Sequence, residues 1–259
     1  MMPKSYKLKL VLGGSPTSGK NTVIDTYEDN GSPIGVSFKS VECIVNEEDN
    51  YRFIVWDLKD RKRFRFLFPV FCRGAYAGLL CFDLSNKESF SDLHRWITLF
   101  KENVKEILII LIGTKANLAN REVSEDAINN LIANNEDLIY IEHSSLLSVE
   151  ENLEIIFKKL IKTIQPEHNF SHFRLTFNKE DEQLIRLRNF FDQCPICKKR
   201  IHNNVGLKNM YKNVSDPEAL RFKESLIRLV NNIEEIRFEY SGRIDLGIPC
   251  CDCYKKIFD

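Results

Sequence analysis

The sequence predicts an α/β protein. A mainly parallel sheet with helices on both faces should occupy the first two thirds of the chain, followed by a small α-rich unit around clustered cysteines. Three observations carry this. From residue 6 to about 165, short runs rich in β-branched and aromatic residues alternate with segments of helical period, the pattern of parallel strands joined by covering helices. Two neighbouring strand-like runs, 36–45 and 51–58, are joined only by the polar turn Asn46-Glu-Glu-Asp-Asn50, so one antiparallel hairpin belongs at a sheet edge. Five of the eight cysteines, Cys194, Cys197, Cys250, Cys251 and Cys253, fall in the last 66 residues.

In chain order, Tyr6–Leu12 reads as the first strand and Asn21–Tyr27 as the helix after it. The hairpin follows, then a strand at Gly78–Leu84, a helix at Ser89–Asn103 and a strand at Ile107–Ile112. A helix at Ser124–Asn134, a strand at Leu138–Ile141 and a helix at Val149–Ile164 complete the alternation. In that last helix Leu153, Ile156, Leu160 and Ile164 recur every three to four residues and form one buried stripe. Pro166 stops it. The predicted organisation is therefore a domain over 1–166, a linker over 167–179 and a second domain over 180–259. The second should hold a helix at Glu180–Asp192 and a longer one after Ser215-Asp216-Pro217, a cap followed by proline in the first turn.

Composition narrows the function classes. Hydrophobic residues are 43% and charged residues 29%, enough apolar material for a packed core, which excludes wholesale disorder. Lys plus Arg and Asp plus Glu are both 37, a formal net charge of +0, so no basic excess argues for nucleic acid or an anionic membrane. The first ten residues lack an apolar signal core. The longest aliphatic run, Ile107–Ile112, is far below the ~18 residues that span a bilayer. A cytoplasmic protein is expected, and in a reducing compartment clustered cysteines favour metal over disulfides.

The most informative string is Gly14-Ser-Pro-Thr17-Ser18-Gly19-Lys20-Asn21, directly after the first strand. It fits G-x-x-x-x-G-K, in which backbone N–H groups cradle phosphates and the lysine adds positive charge. Further motifs follow in order: Pro33-Ile-Gly-Val-Ser-Phe-Lys39, Trp56-Asp57 with Arg63-Phe64-Arg65, Cys72-Arg73-Gly74-Ala75, Gly113-Thr114-Lys115 and Glu142-His143-Ser144. Over residues 5 to 165 their spacing resembles that of Ras-superfamily small GTPases, the Rab branch above all. The resemblance implies a six-stranded mixed sheet with five helices and a GTP/GDP pocket at the C-terminal ends of the strands. It also implies protein effectors or regulators docking through residues 33–39 and 57–76.

Mapped onto this sequence, that pocket comprises Gly14, Thr17, Ser18, Gly19, Lys20, Asn21, Thr22 and Asp57 on the phosphate side. Thr114, Lys115, Asn117, Ser144 and Ser145 form the base side. Several positions depart from the family pattern. Asn21 stands where a Ser or Thr hydroxyl binds Mg²⁺, and its longer side chain suits that cation poorly. Thr22 points elsewhere on a helix. Pro33 replaces the switch threonine and supplies neither hydroxyl nor N–H.

Asp57-Leu-Lys-Asp60 puts a carboxylate where a glycine should approach the terminal phosphate, an expected repulsion. Arg61 replaces the glutamine that orients the attacking water, and a guanidinium has no acceptor. Lys59, Arg61, Lys62, Arg63 and Arg65 read as a solvated loop face that could still screen a phosphate. Asn117 replaces an aspartate that accepts two hydrogen bonds from guanine, and Leu146 replaces the lysine after the serines. The expected function is a small GTP-binding regulatory or recruitment module with weak or lost hydrolysis. The alternative is a nucleotide-free pseudo-GTPase scaffold.

In the tail, Cys194-Pro-Ile-Cys197 and Cys250-Cys-Asp-Cys253 form two C-x-x-C hooks. Four such thiolates suit a closed structural zinc site. Cys251 could replace Cys250, and His202 is a weaker substitute. Tyr254-Lys-Lys-Ile-Phe-Asp259 after the cysteines offers no prenylation box, so no lipid anchor is expected.

Overall fold

The structure is a computed structural model that describes residues 4–24, 35–178, 238–240 and 243–245. Seven strands form one mixed sheet: β1 (Ser5–Gly13), β2 (Val36–Val45), β3 (Asp49–Leu58), β4 (Ala77–Asp83), β5 (Leu108–Thr114), β6 (Leu138–Glu142) and β7 (Phe173–Phe177). Their order is β6-β5-β4-β1-β3-β2-β7. The pairs β1–β3, β1–β4, β4–β5 and β5–β6 are parallel, and β2 runs antiparallel to both β3 and β7. A separate two-stranded ribbon pairs β8 (Phe238–Tyr240) with β9 (Arg243–Asp245).

The central strands are buried throughout: every residue of β4 is buried, as is β5 from Ile109 to Thr114. Unbroken apolar runs such as Leu79–Phe82 and Ile109–Ile112 are what a strand covered on both faces requires. Helices α1 (Lys20–Val23) and α6 (Val149–Ile164) cover one face. A 3-10 turn at Lys62–Leu67, then α2 (Phe68–Cys72), α3 (Lys87–Ser91), α4 (Leu93–Asn103) and α5 (Glu125–Ala133), cover the other. There Trp96 of α4 stacks on Phe68 with ring centroids 5.4 Å apart, and both rings are removed from water.

The helix starts are written in the sequence. Ser148 and Glu151 form a reciprocal capping box at α6, the Ser124 hydroxyl accepts from the Ala127 N–H at α5, and Asn86 accepts from Glu88 and Ser89 at α3.

Three expectations need correction. The sheet has seven strands, not six, because Phe173–Phe177, within the stretch read as linker, pairs with Val41–Val45. The residues before it are fastened as well. The Asn46 N–H donates to the His172 carbonyl at 2.8 Å, and His168 Nε2 lies 2.7 Å from the Tyr51 hydroxyl. The helix read over Ser89–Asn103 is two helices, broken at Asp92. That residue keeps helical angles (φ −68, ψ −17) and caps no backbone N–H; its carboxylate instead accepts from Arg95 Nε and Nη2 and from Trp96 Nε1, one turn on. The strands read at 78–84 and 107–112 run instead over Ala77–Asp83 and Leu108–Thr114. The helices read at 180–192 and after 215–217 lie outside the described residues.

Candidate functional site

The predicted site residues converge because they follow the C-terminal ends of adjacent strands. Gly14 follows β1, Asp57 lies at the end of β3 with Lys59 just after it, and Asp83 ends β4. Thr114 ends β5, and His143, Ser144 and Ser145 follow β6. In open α/β sheets this edge is where ligands sit.

The loop Gly14–Lys20 has the backbone geometry that its glycines predict. Gly14 has φ +140 and Gly19 φ +71. A Cβ on Gly14 would lie 2.5 Å from the Cys81 carbonyl oxygen, and one on Gly19 would lie 2.6 Å from Thr114 Oγ1. No other residue fits either place without displacing backbone or its brace. That brace is Thr114, whose buried hydroxyl lies 2.8 Å from the Ser18 carbonyl and 3.1 Å from that of Phe82. It ties the base-side loop to the phosphate-side loop. Ser18 Oγ is buried and has no hydrogen-bond partner among the described residues. Thr17 is exposed at the rim, and its hydroxyl lies 3.2 Å from that of Ser15.

Lys20 is buried. Its ammonium donates to Asp57 Oδ1 at 2.8 Å and to the Leu58 carbonyl at 2.6 Å. The second oxygen of Asp57 takes the Lys59 ammonium at 2.7 Å and the Ser37 hydroxyl at 3.3 Å. Burial raises the pKa of the Asp57 carboxyl, but the charges of Lys20 and Lys59 outweigh it and hold the group below the usual carboxylate range. Lys59 is thus no member of a solvated charge run: its side chain is only 12% exposed. Its place could have revealed it, since it follows β3 directly and lies two residues after Asp57, the spacing that returns an extended chain to one face.

Asp60 also corrects the expectation of repulsion with a phosphate. Its carboxylate, 2% exposed, accepts from Arg65 Nε at 2.7 Å and Nη2 at 3.0 Å, and from Arg95 Nη2 at 2.8 Å. The charge is neutralised against α4. Arg61 and Lys62 are exposed, as the solvated reading expected, whereas Arg65 is paired.

On the base side, Asn117 Oδ1 accepts from the Ser145 backbone N–H at 3.3 Å and hydroxyl at 2.9 Å. Asn152, unmarked in the sequence reading, holds that loop: its Oδ1 accepts from the Ser144 N–H, and its Nδ2 donates to the Ser144 and Ser148 carbonyls. Lys115, at φ +59, pairs with Asp83. Burial pushes the Asp83 carboxyl upward, but bonds from Lys115 and Ser85 bring it below its ordinary range. Leu146 is 82% exposed. His143 is buried beside the Thr22 backbone, and its Nε2 has no hydrogen-bond partner among the described residues. Burial lowers its pKa.

Among the described residues, the donors suit a nucleotide and offer Mg²⁺ no suitable set of oxygens. The glycine cradle, the buried lysine and the braced base loop are all built. By contrast, Asn21 is exposed on α1 and carries no hydroxyl. The hydroxyl of Thr22 donates to the Gly19 carbonyl at 2.7 Å within its own turn. Both Asp57 oxygens are engaged by ammonium groups. Pro33 lies outside the described residues, as do Cys194, Cys197, Cys250 and Cys253. Among the described residues no cluster of three His, Cys, Asp or Glu could hold a metal ion. Cys43, Cys72 and Cys81 are buried free thiols whose pKa burial raises. No described helix is long and apolar enough to cross a membrane.

Residues 9–166 match the model of the Ras family. The chain is 34% identical over 128 residues to the Ras-like GTP-binding protein RYL2 of Yarrowia lipolytica, covering 47% of this chain and 61% of that protein. It is 30% identical over 168 residues to the Ras-related protein RGP2 of Oryza sativa, covering 62% and 76% respectively. Against the Ras-related protein Rab-18 of Lymnaea stagnalis it is 28% identical over 165 residues, covering 61% and 80%.

Proposed function

The chain belongs to the Ras family, and on that premise we propose that it is a guanine-nucleotide-binding module of Rab type. It acts by recruiting or regulating partner proteins, and its GTP hydrolysis is weak or lost. One contrast supports the reading: the phosphate cradle is complete, while the position that should orient water is not. Gly14, Gly19 and the loop backbone offer N–H groups to phosphate oxygens, and Lys20 adds positive charge. Thr114 fixes that loop against the base side, where Lys115 and Asn117 face the base and Ser144 and Ser145 set the loop. Arg61, exposed and without an acceptor, cannot position a water for in-line attack as an amide does. Partner proteins would read residues 33–39 and 57–76. The reading includes a zinc held by Cys194, Cys197, Cys250 and Cys253 in the tail.

The test is to denature freshly purified protein, identify the released small molecule, and follow phosphate release from GTP in a single turnover. Bound GDP or GTP with negligible turnover is expected. Release at the rate of an ordinary small GTPase would sink the claim of impaired hydrolysis. A second reading, a nucleotide-free scaffold, draws on the bonds that Lys20 already makes to Asp57 and Leu58. Empty protein that binds no added nucleotide would favour it.

A further inference from the structure

Among the described residues, the phosphate side of the pocket brings together two lysines and one carboxylate, and no arrangement of oxygens for a divalent ion. Mg²⁺ needs oxygen ligands at about 2.0–2.1 Å in near-octahedral array and gives up its water reluctantly. Asp57 is the acidic residue at the cradle, and its two oxygens accept Lys20 Nζ at 2.8 Å and Lys59 Nζ at 2.7 Å. The three side chains are 2%, 7% and 12% exposed, so they interact through a medium far less screening than water. Two ammonium groups thus converge on the one carboxylate of Asp57 beside the loop Gly14–Lys20. For a cation to use Asp57, Lys59 would have to leave a buried partner. That residue is also tied by its backbone, since its N–H donates to the Gly35 carbonyl at 2.8 Å.

We propose that Lys59 is a resident cation: it supplies from within the chain the positive charge that Mg²⁺ would otherwise bring, so nucleotide phosphate is bound without metal. The inference rests on the nucleotide-binding reading above. In this arrangement Asp57 is a positioning residue that holds Lys20 and Lys59 on either side of it, and the lysines, not an ion, face the phosphate oxygens. The Ser37 hydroxyl, 3.3 Å from Asp57 Oδ2 and paired in register with Asp57 across β2 and β3, completes the cage.

The experiment measures the dissociation constant of N-methylanthraniloyl-GDP for the nucleotide-stripped full chain, in millimolar MgCl₂ and again in excess EDTA. The expected result is equality within about threefold, where one tenfold step is about 1.4 kcal/mol. Lys59→Met removes the charge and keeps the stem; it should weaken binding in EDTA by about tenfold or more, while Lys59→Arg stays close to the native chain. A native chain that loses more than about tenfold in affinity on chelation overturns the inference and leaves the nucleotide-binding reading standing. No binding with or without metal overturns that reading and the inference with it. A folded Lys59→Met variant with native affinity in EDTA also overturns the inference. Should that variant not fold, the chelation comparison on the native chain decides alone.

Discussion

Replacing Asp60 by alanine removes the acceptor at the centre of a small ionic cluster, and its cost follows from the geometry. Asp60 accepts three N–H bonds at 2.7, 3.0 and 2.8 Å from Arg65 and Arg95, and its own side chain is 2% exposed. Deleting one partner of a fully buried pair costs about 3–5 kcal/mol, because the other charge is stranded. Here Arg65 and Arg95 are 38% and 33% exposed, so water recovers part of each guanidinium's solvation. Arg95 also keeps Asp92 through two bonds at 2.9 Å. The expected loss is therefore about 1–3 kcal/mol, or a fall in melting temperature of about 3–10 °C for a domain of this size.

Urea denaturation of the native chain, Asp60→Ala, Arg95→Ala and the double variant measures both the loss and the coupling. A coupling of about 0.5–3 kcal/mol is expected. Asp60→Asn, which keeps a neutral acceptor, should fall between native and alanine. If Asp60→Ala stays within about 0.5 kcal/mol of native and shows no coupling to Arg95, the claim that this cluster holds residues 60–65 on α4 is wrong.

Gly19→Ala should destabilise the fold by about 1–3 kcal/mol and abolish nucleotide affinity, since its Cβ would meet Thr114 Oγ1 at 2.6 Å; native-like affinity would show that the cradle is not where phosphate binds. Lys9 lies over the Trp56 ring at 3.7 Å, and burial lowers its pKa from 10.5 to about 8. Between those values the unfolded chain holds the extra proton, so stability rises with pH across that window. The gain should be about 1–3 kcal/mol, and it should vanish in Lys9→Met; equal slopes for the two chains would refute the assignment. Asn117→Asp keeps the acceptor that Ser145 uses and adds a second for guanine, so the preference for GDP over XDP measured by calorimetry should rise about tenfold or more. Strong, exclusive guanine preference in the unaltered chain would contradict this. Elemental analysis should find one zinc per chain, and chelation should expose residues beyond about 180 to protease while 1–166 stays intact; a zinc-free chain with a protease-resistant tail would defeat the proposal.

Much of this architecture was legible in residue order. The hairpin 36–45 and 51–58 was readable because no helix-length segment separates its strands, and β2 occupies Val36–Val45 as read. The cradle was readable because glycine spacing encodes backbone conformation directly. Harder to see were elements whose apolar pattern is brief or mixed with charge. Phe173, Leu175 and Phe177 alternate with Arg174 and Thr176, a strand signal of only five residues beside a proline and two histidines. Phe64, Leu67, Phe68 and Phe71 recur at helical spacing, but Lys62, Arg63 and Arg65 among them made the stretch read as solvated loop. Charge partners were the least legible, because they are set by strand and helix neighbours: Asp60 meets Arg95 across 35 residues of sequence, and Lys20 meets Asp57 across 37.

Two charges that the sequence reading set against the family pattern, at Asp60 and Lys59, are paired within the chain. A carboxylate where glycine is usual would leave a bare charge near phosphate, but Arg65 and Arg95 bind it. A lysine two residues after Asp57 would be an unpaired buried cation, but Asp57 binds it. Gly35 and Lys59 are tied through their backbones, and the Phe64 ring sits where a Cβ on Gly35 would fall, 2.4 Å away. A ligand shifts a conformational equilibrium only by its differential affinity for the two states. When bonds inside the chain already hold residues 57–65 beside the loop Gly14–Lys20, nucleotide has little left to order there. That is the behaviour expected of a module whose proposed surface over residues 57–76 is presented in one form, with binding and display separated from the hydrolytic timing that an orienting glutamine would impose.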